Sequence, residues 1–238
     1  MDIYRPDTQV SALGTRVDMR AVMKEVYLWM TLGLITTAVV ALVFAVTGLT
    51  AALGPLLFVA VIAQLGLVFY LAARIHKMEA QRATRVFLLF AAVMGISLST
   101  IFYYASLVDI YLALFATGAT FGAMTIVGYT TQTDLSKFGG ILFMALIGLI
   151  IASVVNIFVA SSTLYWIVNY AGVLIFVGLT AYDTQWIKNN AQRIEVQGVN
   201  SEAAVVRQVA ILGALHLYLD FINLFIFILN IISSGSRR

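Results

Sequence analysis

The sequence predicts an all-α polytopic membrane protein with seven transmembrane helices. Three observations carry that prediction. Of 238 residues, 62% are hydrophobic and only 11% charged, with a mean hydropathy of +0.99. The apolar residues fall in runs of about twenty or more, the length a helix needs to cross roughly 30 Å of hydrocarbon. The period-two alternation of a membrane barrel is absent.

The spans are read at 26–47, 52–73, 86–107, 110–131, 138–160, 164–187 and 208–232. They divide the chain into a polar lead over 1–25, one seven-helix membrane domain over 26–232 and a short basic tail over 233–238. The lead is mixed in charge and lacks the apolar core of a cleavable signal. Loops 48–51, 108–109 and 161–163 hold no Lys or Arg, whereas the opposite side carries twelve, from Arg5 to Arg207. By the positive-inside rule the N-terminus faces the cytoplasm. Seven crossings then place Arg237 and Arg238 outside, and a re-entrant last segment would return them inside. The length of span seven favours seven crossings. Residues 188–207 form the one long internal loop, within which Ser201 to Arg207 is also read as an early start of helix seven.

Composition also excludes. There are no cysteines, so disulfides, thiolate catalysis and cysteine metal sites are ruled out. Net charge is only +3 and the cations are scattered among loops, which argues against nucleic acid. No glycine-rich phosphate loop or zinc-ligand spacing occurs, and the two histidines give no Ser–His–Asp arrangement. The chain is read as no enzyme and as needing no cofactor.

Two acidic residues stand inside spans, Asp183 in VGLTAYDTQWIK and Asp220 in HLYLDFINLFIFILN. A carboxylate at the centre of a membrane helix costs about 2.5–3.5 kcal/mol on insertion scales, so Asp220 needs a partner away from lipid. Asp183 is the candidate. Two close carboxylates tend to share one proton rather than both ionise, which makes the pair responsive to pH. The same pair can ligate a hard divalent cation through oxygen. The two meet only if helix seven begins well before the bilayer. Taken alone, Asp183 is equally an interfacial carboxylate that reaches headgroup water.

Gly213, His216, Asp220, Asn223 and Asn230 recur at spacings of three, four or seven on span seven, which gives one polar face. His216, Asn223 and Asn230 are candidate pore-lining residues. Interhelical hydrogen bonding is the competing reading for the two asparagines. Arg74 closes span two on the basic side, either as an orientation anchor or as a latch whose guanidinium reaches the dyad. Gln64 in the same span is read as interhelical. Gly118 and Gly122 make a small-xxx-small pair whose default reading is close helix packing.

At these residues the sequence resembles the Bax inhibitor-1 family (transmembrane Bax inhibitor motif proteins), most closely its bacterial inner-membrane branch. VGLTAYDTQ and LYLDFINLF carry the resemblance, with GISLSTIF, ATGATFGAMTIVGYTT and DLSKFGGILFMALIG beside them. It implies six helices around a central seventh, and a calcium leak that responds to pH through Asp183 and Asp220, with calcium as the transported ion. It also implies an arginine latch, for which Arg74 is the candidate. Departures are Asn230, where members often carry Arg, and the length of 188–207. Suppression of cell death by eukaryotic members is not carried over. Modulation of a membrane protease, attributed to some bacterial relatives, keeps a non-conducting regulator with a membrane-protein partner as the alternative function. An intramembrane aspartyl protease is the third reading, weakened because the second aspartate lies in LYLD rather than GxGD and no PAL motif follows.

Overall fold

The computed structural model describes residues 19–54, 56–196 and 203–236. They form α1 (Met19–Val46), α2 (Leu49–Leu53), α3 (Leu56–Arg74), a 3-10 turn (Ile75–Lys77), α4 (Ala80–Leu98), α5 (Ile101–Tyr104), α6 (Leu107–Thr130), α7 (Ser136–Val159), α8 (Ser162–Val196) and α9 (Ala203–Ser236). Seven of the spans they build are long and apolar enough to cross a membrane. The predicted fold class holds, with corrected boundaries.

Helix α1 starts at Met19, inside the polar lead. Span two is divided by Gly54, which adopts φ 31°, and by the proline that follows it in sequence. Proline disfavours helix in the residue before it and lacks an N–H. Span three tightens at Ser99 and Thr100, whose hydroxyls donate to the carbonyls of Ile96 and Ser97 three residues back. Asp109, read as a loop residue, is the third residue of α6. It forms a capping box with Ser106, in which each side chain accepts from the other's backbone N–H.

The largest correction concerns 188–207. Helix α8 runs on to Val196, where the sequence predicts loop, whereas α9 has begun by Ala203, in agreement with an early start of helix seven. These residues are too polar for a membrane span, but they continue the helices beyond it. Helix α9 is also a complete crossing. Near its start the Gln208 side-chain amide donates to the Met78 carbonyl, at the basic end of the bundle. At its finish the Ser236 hydroxyl donates to Asp109 Oδ1 over 2.9 Å, at the opposite end. That geometry contradicts a re-entrant last segment. It also places 233–236, read as tail, within the helix.

Helix α9 is the hub. Its apolar window is 56% buried, against 6% for α3 and for α7. It packs on α8, α1, α6 and α4. Helix α3 packs chiefly on α4, where Ser97 donates to Gln64 over 3.1 Å as the interhelical reading of Gln64 requires. Helix α7 packs chiefly on α8. Four helices therefore surround α9, and α3 and α7 stand as outer panels, where six around a central seventh are predicted.

The inward face of α9 is anchored by Tyr218. Thr37 of α1 gives its proton to the Ala91 carbonyl of α4 at 2.8 Å, so the Tyr218 hydroxyl, 2.6 Å away, donates to Thr37. Phe87 and Phe90 meet the Tyr218 ring edge-on at 5.7 Å. Three helices are thus locked in rotation as well as in distance, which fixes the direction of the opposite, polar face.

Candidate carboxylate site

On that polar face, His216, Leu219, Asp220 and Asn223 of α9 line a cavity of about 860 Å³. Helix α8 contributes Tyr182 and Asp183, and Val68 of α3 forms part of the opposite wall. Apolar residues of α7, among them Phe143, Leu146, Ile150 and Val154, complete it. The chamber is polar at its α8–α9 side and apolar toward α7.

The Asp183 and Asp220 side chains line the same cavity from the neighbouring helices α8 and α9. Asp220 is 3% exposed. Its Oδ2 is buried without a hydrogen-bond partner among the described residues. Asp183 is the more accessible member, with a side chain 13% exposed. The depth condition is met because both helices outrun the apolar text. Asp183 lies roughly 20 Å before the end of α8 and Asp220 roughly 26 Å after the start of α9, at 1.5 Å per residue.

His216 sits one turn before Asp220. Its Nδ1 lies 3.5 Å from Asp183 Oδ1, an ion-pair distance when the imidazole is protonated. Trp186, one turn after Tyr182 and Asp183, covers the imidazole at 5.2 Å between ring centroids. The Nδ1 atom is buried and makes no hydrogen bond among the described residues.

Close approaches hold α8 in register. A Cβ at Gly128 of α6 would lie 2.3 Å from the Ala181 carbonyl oxygen, two residues before Asp183. A Cβ at Gly139 of α7 would lie 2.8 Å from the Tyr182 ring. Gln185 clamps the loop between α6 and α7. Its Oε1 accepts from the Leu135 N–H at 2.7 Å and its Nε2 donates to the Thr133 carbonyl at 2.8 Å. Lys188 Nζ donates to the Tyr129 carbonyl at 2.7 Å. In the same loop the Ser136 hydroxyl and N–H hold the exposed Asp134 carboxyl below its usual range.

Not every predicted residue joins the site. Asn223 lines the cavity and its amide donates to the Leu219 carbonyl at 2.8 Å. Asn230 does not line it. Its amide donates to Asn169 Oδ1 of α8 at 3.0 Å, an interhelical hydrogen bond. The seam continues past Asn223, but α8 covers its upper part. Arg74 is exposed, and among the described residues it forms no ion pair with either aspartate. It lies roughly 9 Å along α3 from Val68, beyond the cavity wall. The side chain beside Asp183 in this conformation is instead His216, with its Nδ1 3.5 Å from Asp183 Oδ1. Gly118 and Gly122 have nothing within 4 Å of an added Cβ, which overturns close packing at that pair.

Sequence reasoning missed Tyr182, Trp186, Gln185 and Tyr218 as working parts of the site. The signal for Gln185 was present, since an amide two residues after Asp183 in an apolar helix also needs a partner. Among the described residues no group of three or more His, Asp or Glu side chains converges on a metal position. Calcium takes six to eight oxygens. The Asp183 and Asp220 carboxyls alone supply fewer than that.

The chain is similar to known proteins over nearly its whole length. The family model described as "Inhibitor of apoptosis-promoting Bax1" matches residues 19–237. Inner membrane protein YbhL of Escherichia coli K12 is 45% identical over 235 residues, covering 96% of this chain and 97% of its own. An uncharacterized protein of Deinococcus radiodurans is 39% identical, covering 90% of each chain. The uncharacterized membrane protein SpyM3_0260 of Streptococcus pyogenes is 37% identical over 172 residues, 72% of each chain.

Proposed function

The chain belongs to the Bax inhibitor-1 family, and from that premise we propose that it is a pH-sensitive cation leak channel of a bacterial inner membrane, passing calcium under control of the Asp183–Asp220 pair. The observation that carries this reading is the convergence of the two aspartates on one cavity beside the central helix. The name of the Escherichia coli relative supports the inner membrane. The basic residues collected at one end of the bundle support an N-terminus in the cytoplasm.

The chemistry runs through charge balance. Ionised, the pair is a strong attractor for a divalent cation in a low-dielectric chamber. A shared proton removes half of that charge, because two carboxylates in contact do not both ionise cheaply. Protonated His216 competes for Asp183 at 3.5 Å. Arg74 remains the candidate latch of this reading, one helix away from the dyad on α3. No catalytic step is assigned.

Calcium flux into proteoliposomes, measured across pH, tests the reading. Wild-type flux should change with pH, and the Asp183→Asn, Asp220→Asn double variant should lose both that response and most of the flux. A double variant with unchanged flux and unchanged pH response would sink the proposal.

A non-conducting regulator is the second reading. Gly118 and Gly122, on an unoccupied face of α6, favour it as a place where a partner helix approaches closely. Co-purification of a stoichiometric membrane-protein partner, with no flux in the pure protein, would select it. A Gly118→Leu variant should then release the partner.

A further inference from the structure

A second polar cavity lies outside the carboxylate site, at the turn between α3 and α4. Lys77, Arg82 and Arg85 line it together with Val86 and Leu89, around a volume of about 600 Å³. The three cations are exposed, and none forms an ion pair among the described residues. Arg85 makes one long bond, from Nε to the Gln81 carbonyl at 3.4 Å. Glu79 is the sole acid in the lining, so the crevice keeps an excess of positive charge.

Positive charge at this end of the bundle is expected of orientation anchors alone. Anchors need not converge, and these do. Positions 82, 85, 86 and 89 lie on one stripe of α4, at helical spacings of three and four. Along that stripe the chemistry changes once, from guanidinium at the helix start to aliphatic one turn further in. Leu89 is 54% exposed. This order, cationic at the end of the span and apolar along its flank, is the polarity of a phospholipid lying against a helix. Guanidinium groups match phosphate oxygens in a planar fork. Basic pockets on membrane helices recognise anionic headgroups.

We propose that this crevice binds an anionic phospholipid, with its phosphodiester held by Arg82, Arg85 and Lys77 and an acyl chain laid along Val86 and Leu89. The lipid would grip the turn to which α9 is tied, since Gln208 donates to the Met78 carbonyl there. The proposal does not depend on ion conduction.

Native mass spectrometry of the full chain in detergent, titrated with phosphatidylglycerol and separately with phosphatidylcholine, tests it. Phosphatidylglycerol should be retained and phosphatidylcholine should not. At about fivefold per cation near an anionic surface, the Arg82→Gln, Arg85→Gln double variant should bind phosphatidylglycerol about thirtyfold more weakly. The Lys137→Gln, Arg193→Gln double variant removes the same charge from the same end and should leave binding unchanged. Should the first variant fold poorly, Lys77→Gln alone carries the test with a loss of about fivefold. Equal losses in the two double variants, or equal retention of the two lipids, would overturn the proposal.

Discussion

A methyl group added at Gly128 would meet the Ala181 carbonyl oxygen at 2.3 Å, backbone against backbone, with no side chain able to yield. The same group at Gly122, six residues earlier on α6, would meet nothing within 4 Å. Gly128→Ala should therefore destabilise by about 1–3 kcal/mol, as overpacking does, and should also shift Asp183 through its neighbour Ala181. Gly122→Ala should be neutral or stabilising by up to about 1 kcal/mol, the usual helix preference for Ala over Gly. Thermal unfolding of both variants in one detergent checks the contrast. Equal melting temperatures would mean that α6 and α8 do not pack as closely as described. Periodicity could not separate these glycines, because both lie in apolar text and only the crossing point of α6 and α8 distinguishes them.

At the scale of the element, the carboxylate pair was legible and its surroundings less so. Asp183 and Asp220 stand out because a buried carboxylate is costly wherever it lies in an apolar run. The early start of α9 was readable in the sequence, whereas the reach of α8 was hidden. Asn189, Asn190 and Gln192 look like loop once hydropathy is the guide, yet they continue the helix beyond its membrane span. Asn230 shares a helical face with Asp220, but α8 crosses that face and takes Asn230 into its own contact. Arg74 was legible as a cation beside a span, whereas its distance from the dyad depends on how α3 lies on α4. The start of α6 offers a clean test of local structure. Ser106→Ala removes the acceptor for the Asp109 N–H and should lower stability by about 1 kcal/mol, while Ser106→Thr keeps it. Matching melting temperatures for the two variants would show that the cap contributes nothing.

At the scale of the whole molecule, four helices clasp α9 and two stand apart, which leaves the polar face of α9 reachable between α3 and α7. The sequence predicted six helices about a seventh through a family resemblance, but not this inequality among the six. Side-chain spacing defines which face of a helix is polar, not which neighbour covers it. Because the chain has no cysteine, single thiols report access without background. An Asn223→Cys variant, with its thiol on the cavity wall, should react with a small methanethiosulfonate reagent in the folded protein. A Leu217→Cys variant, at a position 0% exposed, should react only after unfolding. Equal rates at the two positions would remove the cavity from the description.

The indole of Trp186 lies 5.2 Å from the imidazole that pairs with Asp183. A protonated imidazole at that range quenches indole emission, whereas a neutral one does so weakly. The protein thus carries its own optical reporter of the charge beside the dyad. Once Trp29 and Trp166 are replaced by Phe, the electrostatic state of the site becomes visible as light, in an unlabelled chain and without any ion having to move.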